Sequence, residues 1–117
     1  MSKKIIVIED DPDILDIMTY ILIEEGYIVV ASSNAKPLEE VHMHQPALIL
    51  LDDRLLEGFG RDFCRKFKTN AKTRQFPIIL MSANPGVDDL ARKSLADGYL
   101  AKPFDITVFI DLVKQFV

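Results

Sequence analysis

The chain has 117 residues and a single cysteine, Cys64, which fits one domain and excludes an intramolecular disulfide. No apolar run approaches the roughly 20 residues of a membrane span, and the run at residues 5–8 is too short and ends in acid, unlike a signal peptide. An apolar share of 49% is an ordinary globular composition, while a formal net charge of −4 argues against direct binding to nucleic acid.

Lys4-Ile5-Ile6-Val7-Ile8 is a β-branched apolar run and reads as a buried strand. Glu9-Asp10-Asp11-Pro12-Asp13 follows; Pro12 suits the first turn of a helix and the acids suit its positive end. Ile14, Leu15, Met18, Ile21 and Leu22 recur at helical spacing until Gly26, a left-handed stop. Tyr27 to Ala31 is a second strand, and Ser32-Ser33-Asn34 offers a cap for a short helix carrying Leu38 and Val41. His42 and His44 sit two apart on that helix and share no face, so they read as surface or partly packed side chains rather than a metal pair.

Ala47-Leu48-Ile49-Leu50-Leu51 is the third strand, apolar throughout as in the middle of a parallel sheet, and Asp52 and Asp53 stand where it stops. Leu55 to Gly60 is expected as a loop, its two glycines marking a tight turn. Phe63, Cys64 and Phe67 then share the core face of a helix ending near Asn70. The cations from Arg61 to Arg74 read as a solvated helix end. Phe76 to Met81 is a fourth strand broken at Ser82-Ala83-Asn84-Pro85-Gly86, and Asp88-Asp89 open a helix with Leu90, Ala91, Ser94 and Leu95 on one side. Gly98 to Ala101 is a short fifth strand closed by Lys102-Pro103, and Ile106, Phe109, Ile110, Val113 and Phe116 stripe a last helix.

Five strands alternating with five helices predict an α/β three-layer sandwich. Right-handed crossovers favour a flavodoxin-like parallel sheet in the order 2-1-3-4-5. All its strands end on one side, which gathers Glu9 and Asp10, Asp52 and Asp53, Ser82, and Lys102 at one rim. Two carboxylates about 4 Å apart repel by roughly 4 kcal/mol at an effective dielectric near 20. Such a set calls for a cation, and oxygen ligands with open positions suit Mg²⁺. A carboxylate beside Mg²⁺ and a lysine is placed to attack phosphorus.

The stretches Ile6-Val7-Ile8-Glu9-Asp10-Asp11-Pro12, Pro46 to Asp52, Ile79-Leu80-Met81-Ser82-Ala83 and Tyr99-Leu100-Ala101-Lys102-Pro103-Phe104 together resemble the receiver domain of two-component response regulators. The resemblance covers essentially the whole chain, so residues 1–117 read as one receiver domain with no effector domain, standing alone or cut from a longer regulator. It implies that Asp52 is the phosphoacceptor, that Asp10, Asp52 and the backbone carbonyl of Arg54 ligate Mg²⁺, and that Glu9 acts through water. It further implies that Lys102 pairs with Asp52 or its phosphoryl group, that Ser82 and Tyr99 are the switch pair, and that the Lys102–Pro103 bond is cis. Arg54 and Asn84 fall where the family tunes loss of the phosphoryl group, and Leu56 replaces a usual proline. Asp53 could compete as acceptor, but register with the motif favours Asp52 and leaves Asp53 a solvated bystander; Asp11 is expected to cap the first helix.

The implied function is a cytoplasmic phosphorylation switch, not an enzyme. A sensor histidine kinase or histidine phosphotransfer protein would donate to Asp52, and the face of the fourth helix, fifth strand and last helix would respond. A downstream protein or effector domain and a phosphorylation-dependent homodimer are further partners compatible with the resemblance. Two alternatives remain: a phosphorylation-independent interaction module, which the full set of acids argues against, and an aspartyl-phosphate phosphatase or phosphotransferase. The latter group carries a second acid two positions after its nucleophile, where this chain has Arg54.

Overall fold

The computed structural model describes residues 2–117. In chain order the elements are β1 (Lys4–Ile8), α1 (Pro12–Glu24), β2 (Ile28–Ser32), α2 (Lys36–Glu39), α3 (Val41–His44), β3 (Leu48–Asp52), β4 (Arg54–Leu55) and β5 (Gly58–Phe59). There follow α4 (Gly60–Lys68), β6 (Ile78–Ser82), α5 (Val87–Lys93), β7 (Gly98–Ala101) and α6 (Ile106–Lys114). The main sheet has five parallel strands in the order β2-β1-β3-β6-β7. Numbered without the small β4–β5 hairpin, that is the expected 2-1-3-4-5.

Alternation along the central strands divides the core in two. Ile5, Val7, Leu48, Leu50, Ile79 and Met81 pack with Met18 and Leu22 of α1 and Phe109 and Val113 of α6. Ile6, Ile8, Ile49, Leu51 and Ile78 pack with Leu38, Val41, Cys64 and Phe76 on the other face. β1 and β3 are therefore apolar on both faces, and their continuous Ile, Val and Leu runs follow from that double coverage.

The helix starts obey local chemistry. Asp11 Oδ1 accepts from the backbone N–H groups of Asp13 (2.9 Å) and Ile14 (3.2 Å), and Pro12 takes the first helical position. Asp105 does the same for α6 through Thr107 and Val108. Gly26, at φ 93°, ends α1 in the left-handed region.

Four expectations are corrected. Residues 54–59 are a hairpin, not an irregular loop: Arg54 pairs Phe59 and Leu55 pairs Gly58, with Gly58 at φ 143° accommodating the turn. Ser32 belongs to β2 rather than to the cap, and of the Ser32–Asn34 stretch it is Asn34 whose Oδ1 accepts from the Lys36 N–H at 2.9 Å at the start of α2. The second helix divides into α2 and α3 at Glu40 (φ −105°, ψ 18°). Leu95 leaves α5 at φ 66° and is exposed, so it does not extend that helix's packed side. None of the described helices is long and apolar enough to cross a membrane.

Candidate functional site

The rim at the carboxyl ends of the sheet strands is fixed by register. Ile8 lies opposite Leu51, Asp52 opposite Met81, and Ser82 opposite Ala101, so the residues ending β1, β3, β6 and β7 reach one edge together. Backbone bonds carry this alignment beyond the strands: Glu9 N–H donates to the Ser32 carbonyl at 3.1 Å, and Lys102 N–H to the Ser82 carbonyl at 2.9 Å. The rim opens into a cavity of about 490 Å³ lined by Glu9, Asp10, Asp52, Arg54, Ser82 and Lys102 among others.

Carboxylate oxygens of Glu9, Asp10 and Asp52 all lie within 4.8 Å of one another; Glu9 and Asp52 are buried and Asp10 is exposed. Lys102 Nζ stands 2.5 Å from Glu9 Oε1 and 3.0 Å from Asp52 Oδ1, bridging the two buried acids. Three carboxylates with one lysine between them leave excess negative charge in a poorly solvated place. Burial drives the Asp52 carboxyl up to about 8, hydrogen bonding with Glu9 and Asp10 and repulsion by Glu9 add to this, and Lys102 opposes it. Burial would lower the Lys102 ammonium, but its bonds to Glu9 and Asp52 outweigh that and raise it above the ordinary lysine value. An all-oxygen donor set of this kind could hold a hard divalent cation.

Ser82 Oγ accepts from the Asn84 N–H at 3.0 Å, and Asn84 Oδ1 accepts from Gly86 N–H at 2.8 Å, so both shape the turn leaving β6 while facing the cavity. Tyr99 lies elsewhere. It is half exposed on β7 and borders a separate cavity of about 560 Å³ between that strand and α6, together with Pro103, Phe104 and Val108. The Lys102–Pro103 bond is cis. Asp11 lines the rim, but its side chain is engaged in the α1 cap. His42 packs edge-on against Phe76, and His44 approaches Glu40 at 3.6 Å, so the two histidines do not converge. Cys64 is buried, and burial pushes its thiol up to about 11, which suits a core residue.

Asp53 is the main correction at the site. It is 2% exposed, not solvated, and Arg61 grips it. Arg61 Nε donates to Oδ1 at 3.0 Å, Nη2 to Oδ2 at 2.5 Å, and the Arg61 backbone N–H to Oδ1 at 3.1 Å. The guanidinium also lies 4.6 Å over the Phe59 ring. Arg61 is thus part of the site's framework rather than a solvated helix cation. Lys68, from the same basic stretch, is similarly engaged: its Nζ meets Asp97 and the carbonyls of Arg74 and Phe76. Gly60 lies so close beneath the rim that a Cβ there would overlap the Asp52 carbonyl oxygen. The signal available in sequence was Gly60-Arg61, whose glycine permits that approach and whose arginine follows Asp53 by one short hairpin.

The sequence matches the family model for the response regulator receiver domain over residues 5–114. It is 30% identical over 117 residues to the phosphate regulon transcriptional regulatory protein PhoB of Klebsiella pneumoniae, an alignment covering 97% of this chain and 51% of that protein. The chain therefore spans about half the length of the curated relatives it matches. Among solved structures, a putative response regulator from Chloroflexus aurantiacus superposes with a TM-score of 0.91 at 20% identity, covering 99% of this chain and 98% of that one. The signal receiver domain of a signal transduction histidine kinase from Syntrophus aciditrophicus gives 0.87 at 26% identity, covering 98% and 89%. With the family's profile spanning nearly the whole chain and its fold reproduced, this chain belongs to the receiver domain family of two-component response regulators.

Proposed function

We propose that residues 1–117 form a single receiver module in which Asp52 accepts a phosphoryl group and the resulting aspartyl phosphate resets a protein-binding face. The observation that carries this reading is the convergence of Glu9, Asp10, Asp52, Ser82 and Lys102 on one cavity from four different strand ends. The donor would be a phosphohistidine on a sensor kinase or phosphotransfer protein. An Asp52 carboxylate oxygen forms the new O–P bond as the P–N bond breaks, and the imidazole departs with its electron pair.

Glu9, Asp10, Asp52 and the Arg54 carbonyl would hold Mg²⁺, with Glu9 acting through water. When bound, the ion supplies positive charge for the transferring phosphoryl oxygens. Lys102 is tethered to Asp52 at 3.0 Å and stands ready to pair with the product. Ser82, 7% exposed at the cavity wall, would turn its hydroxyl to a phosphoryl oxygen. Tyr99, outward and half exposed, would move inward in response, changing the face built by α5, β7 and α6. A downstream protein, an effector domain or a second copy would read that face. Arg54, exposed beside the acceptor, and Asn84 would set how long the phosphoryl group lasts.

The test is incubation with acetyl phosphate and Mg²⁺, followed by intact mass and site mapping. One phosphoryl group on Asp52, absent in Asp52→Ala and in chelator, is the expected result. No modification, together with no spectral response to beryllofluoride, would overturn the switch reading in favour of a phosphorylation-independent module.

A further inference from the structure

Residues 53–61 make a loop closed at both ends. At its base, Gly60 N–H donates to the Asp53 carbonyl at 2.8 Å, and Asp53 N–H donates to the Met81 carbonyl of β6 at 2.8 Å. The Arg61 side chain and backbone close the same base through the three bonds to the Asp53 carboxylate. At its tip, Glu57 Oε2 accepts from Ala35 N–H at 2.9 Å, pinning the hairpin to the start of α2.

The hairpin's hydrogen-bond phase fixes which way Arg54 presents its backbone. In an antiparallel ladder, bonded and non-bonded residue pairs alternate. The single Gly60-to-Asp53 bond, with the Asp53 N–H given to Met81 instead, sets the ladder's bonded position at 53/60, so 54/59 is a non-bonded pair. The Arg54 carbonyl is therefore directed away from β5, while Arg54 borders the acidic cavity. The phase holds only while the base stays closed, and a slip of one residue would turn that carbonyl into the hairpin.

We propose that Asp53 and Arg61 are a positioning pair for the phosphoacceptor site: by sealing the base of the 53–61 loop they hold the Arg54 carbonyl toward the acidic cavity and so tune cation binding and phosphoryl uptake at Asp52. This rests on the receiver reading of the cavity given above. Both side chains border the cavity, yet each spends its polar atoms on the other, which is the arrangement of a supporting shell rather than of reacting groups. The fork geometry of arginine is needed, since a lysine ammonium cannot reproduce the two side-chain bonds and the stacking on Phe59.

The experiment measures Mg²⁺ affinity by calorimetry and follows the Arg54 and Gly60 backbone amides by NMR, in the parent, Arg61→Ala, Arg61→Lys and the double variant Asp53→Leu/Arg61→Leu. The double variant leaves no unpaired buried charge and so keeps the fold testable if Arg61→Ala proves unstable. Loss of the pair is expected to weaken Mg²⁺ binding about tenfold and to shift the Arg54 amide, with Arg61→Lys restoring little of either. Phosphoryl uptake from acetyl phosphate should then recover at high Mg²⁺, because the reacting groups are intact. A folded Arg61→Ala or double variant with parental Mg²⁺ affinity and an unmoved Arg54 amide overturns the positioning role alone. A parent that binds no Mg²⁺ and takes no phosphoryl group overturns the receiver reading itself.

Discussion

Asp52 keeps its proton to about 8 because it is buried beside Glu9 and Asp10, and this has a definite sign. A carboxyl with a raised folded-state value binds more protons folded than unfolded, so stability falls as pH rises between about 4 and 8. Thermal unfolding in chelator should therefore give a falling Tm across that window. Asp52→Asn should flatten the slope and raise Tm at its upper end; a Tm that rises with pH in the parent would contradict the burial argument. Lys102 supplies the one ammonium among these acids, 3.0 Å from Asp52. Lys102→Ala should slow phosphoryl uptake by about 10²-fold, the usual cost of deleting one preorganised donor, measured as the rate of Asp52 modification by acetyl phosphate. Arg54 is exposed, so its contribution is that of a screened charge. Arg54→Ala should shorten the phosphorylated half-life about twofold to fivefold, and equal half-lives would remove Arg54 from the account.

Among the elements, the strands were legible and the short connections were not. The runs 5–8, 48–51 and 78–81 are buried on both faces, and such coverage leaves a continuous apolar signature. Pro12 and Asp11 marked the start of α1 because a missing N–H and a short acceptor side chain suit that turn. The β4–β5 hairpin was hidden because Leu56-Glu57 carries no turn preference, the strain falling instead on Gly58. The break at Glu40 was hidden because Glu39 and Glu40 are good helix formers, a local preference that the observed backbone overrides. Asp53 was misread because its partner lies eight residues away across that unseen hairpin. At the same junction, Gly60→Ala would force a methyl group against the Asp52 carbonyl. It should cost about 3 kcal/mol in denaturant unfolding and impair phosphoryl uptake although every reactive group is retained. Asp11→Ala, which only uncaps α1, should cost about 1 kcal/mol.

For the molecule as a whole, the topology is what converts four scattered sequence segments into one site. Order β2-β1-β3-β6-β7 places β1 and β3 centrally, and their ends carry all three acids of the cluster. β6 and β7 complete the row with Ser82 and Lys102. On the receiver reading, hydrogen exchange with beryllofluoride and Mg²⁺ present should change along β7 and α6, near Tyr99, and leave β2 unaltered. Asp52→Asn should abolish the response.

The same topology orders events during synthesis. Glu9, Asp10 and Asp52 are all translated before Lys102, which follows Asp52 by 50 residues. At about 5–20 residues per second, roughly 3–10 s separate the last acid of the cluster from its lysine. During that interval β1 and β3 can adjoin only by bringing the acids together without Lys102 to offset them. The ribosome thus delivers the repulsive half of the pocket first, and the final strand brings both the sheet's last edge and the ammonium that lets the acids stay close.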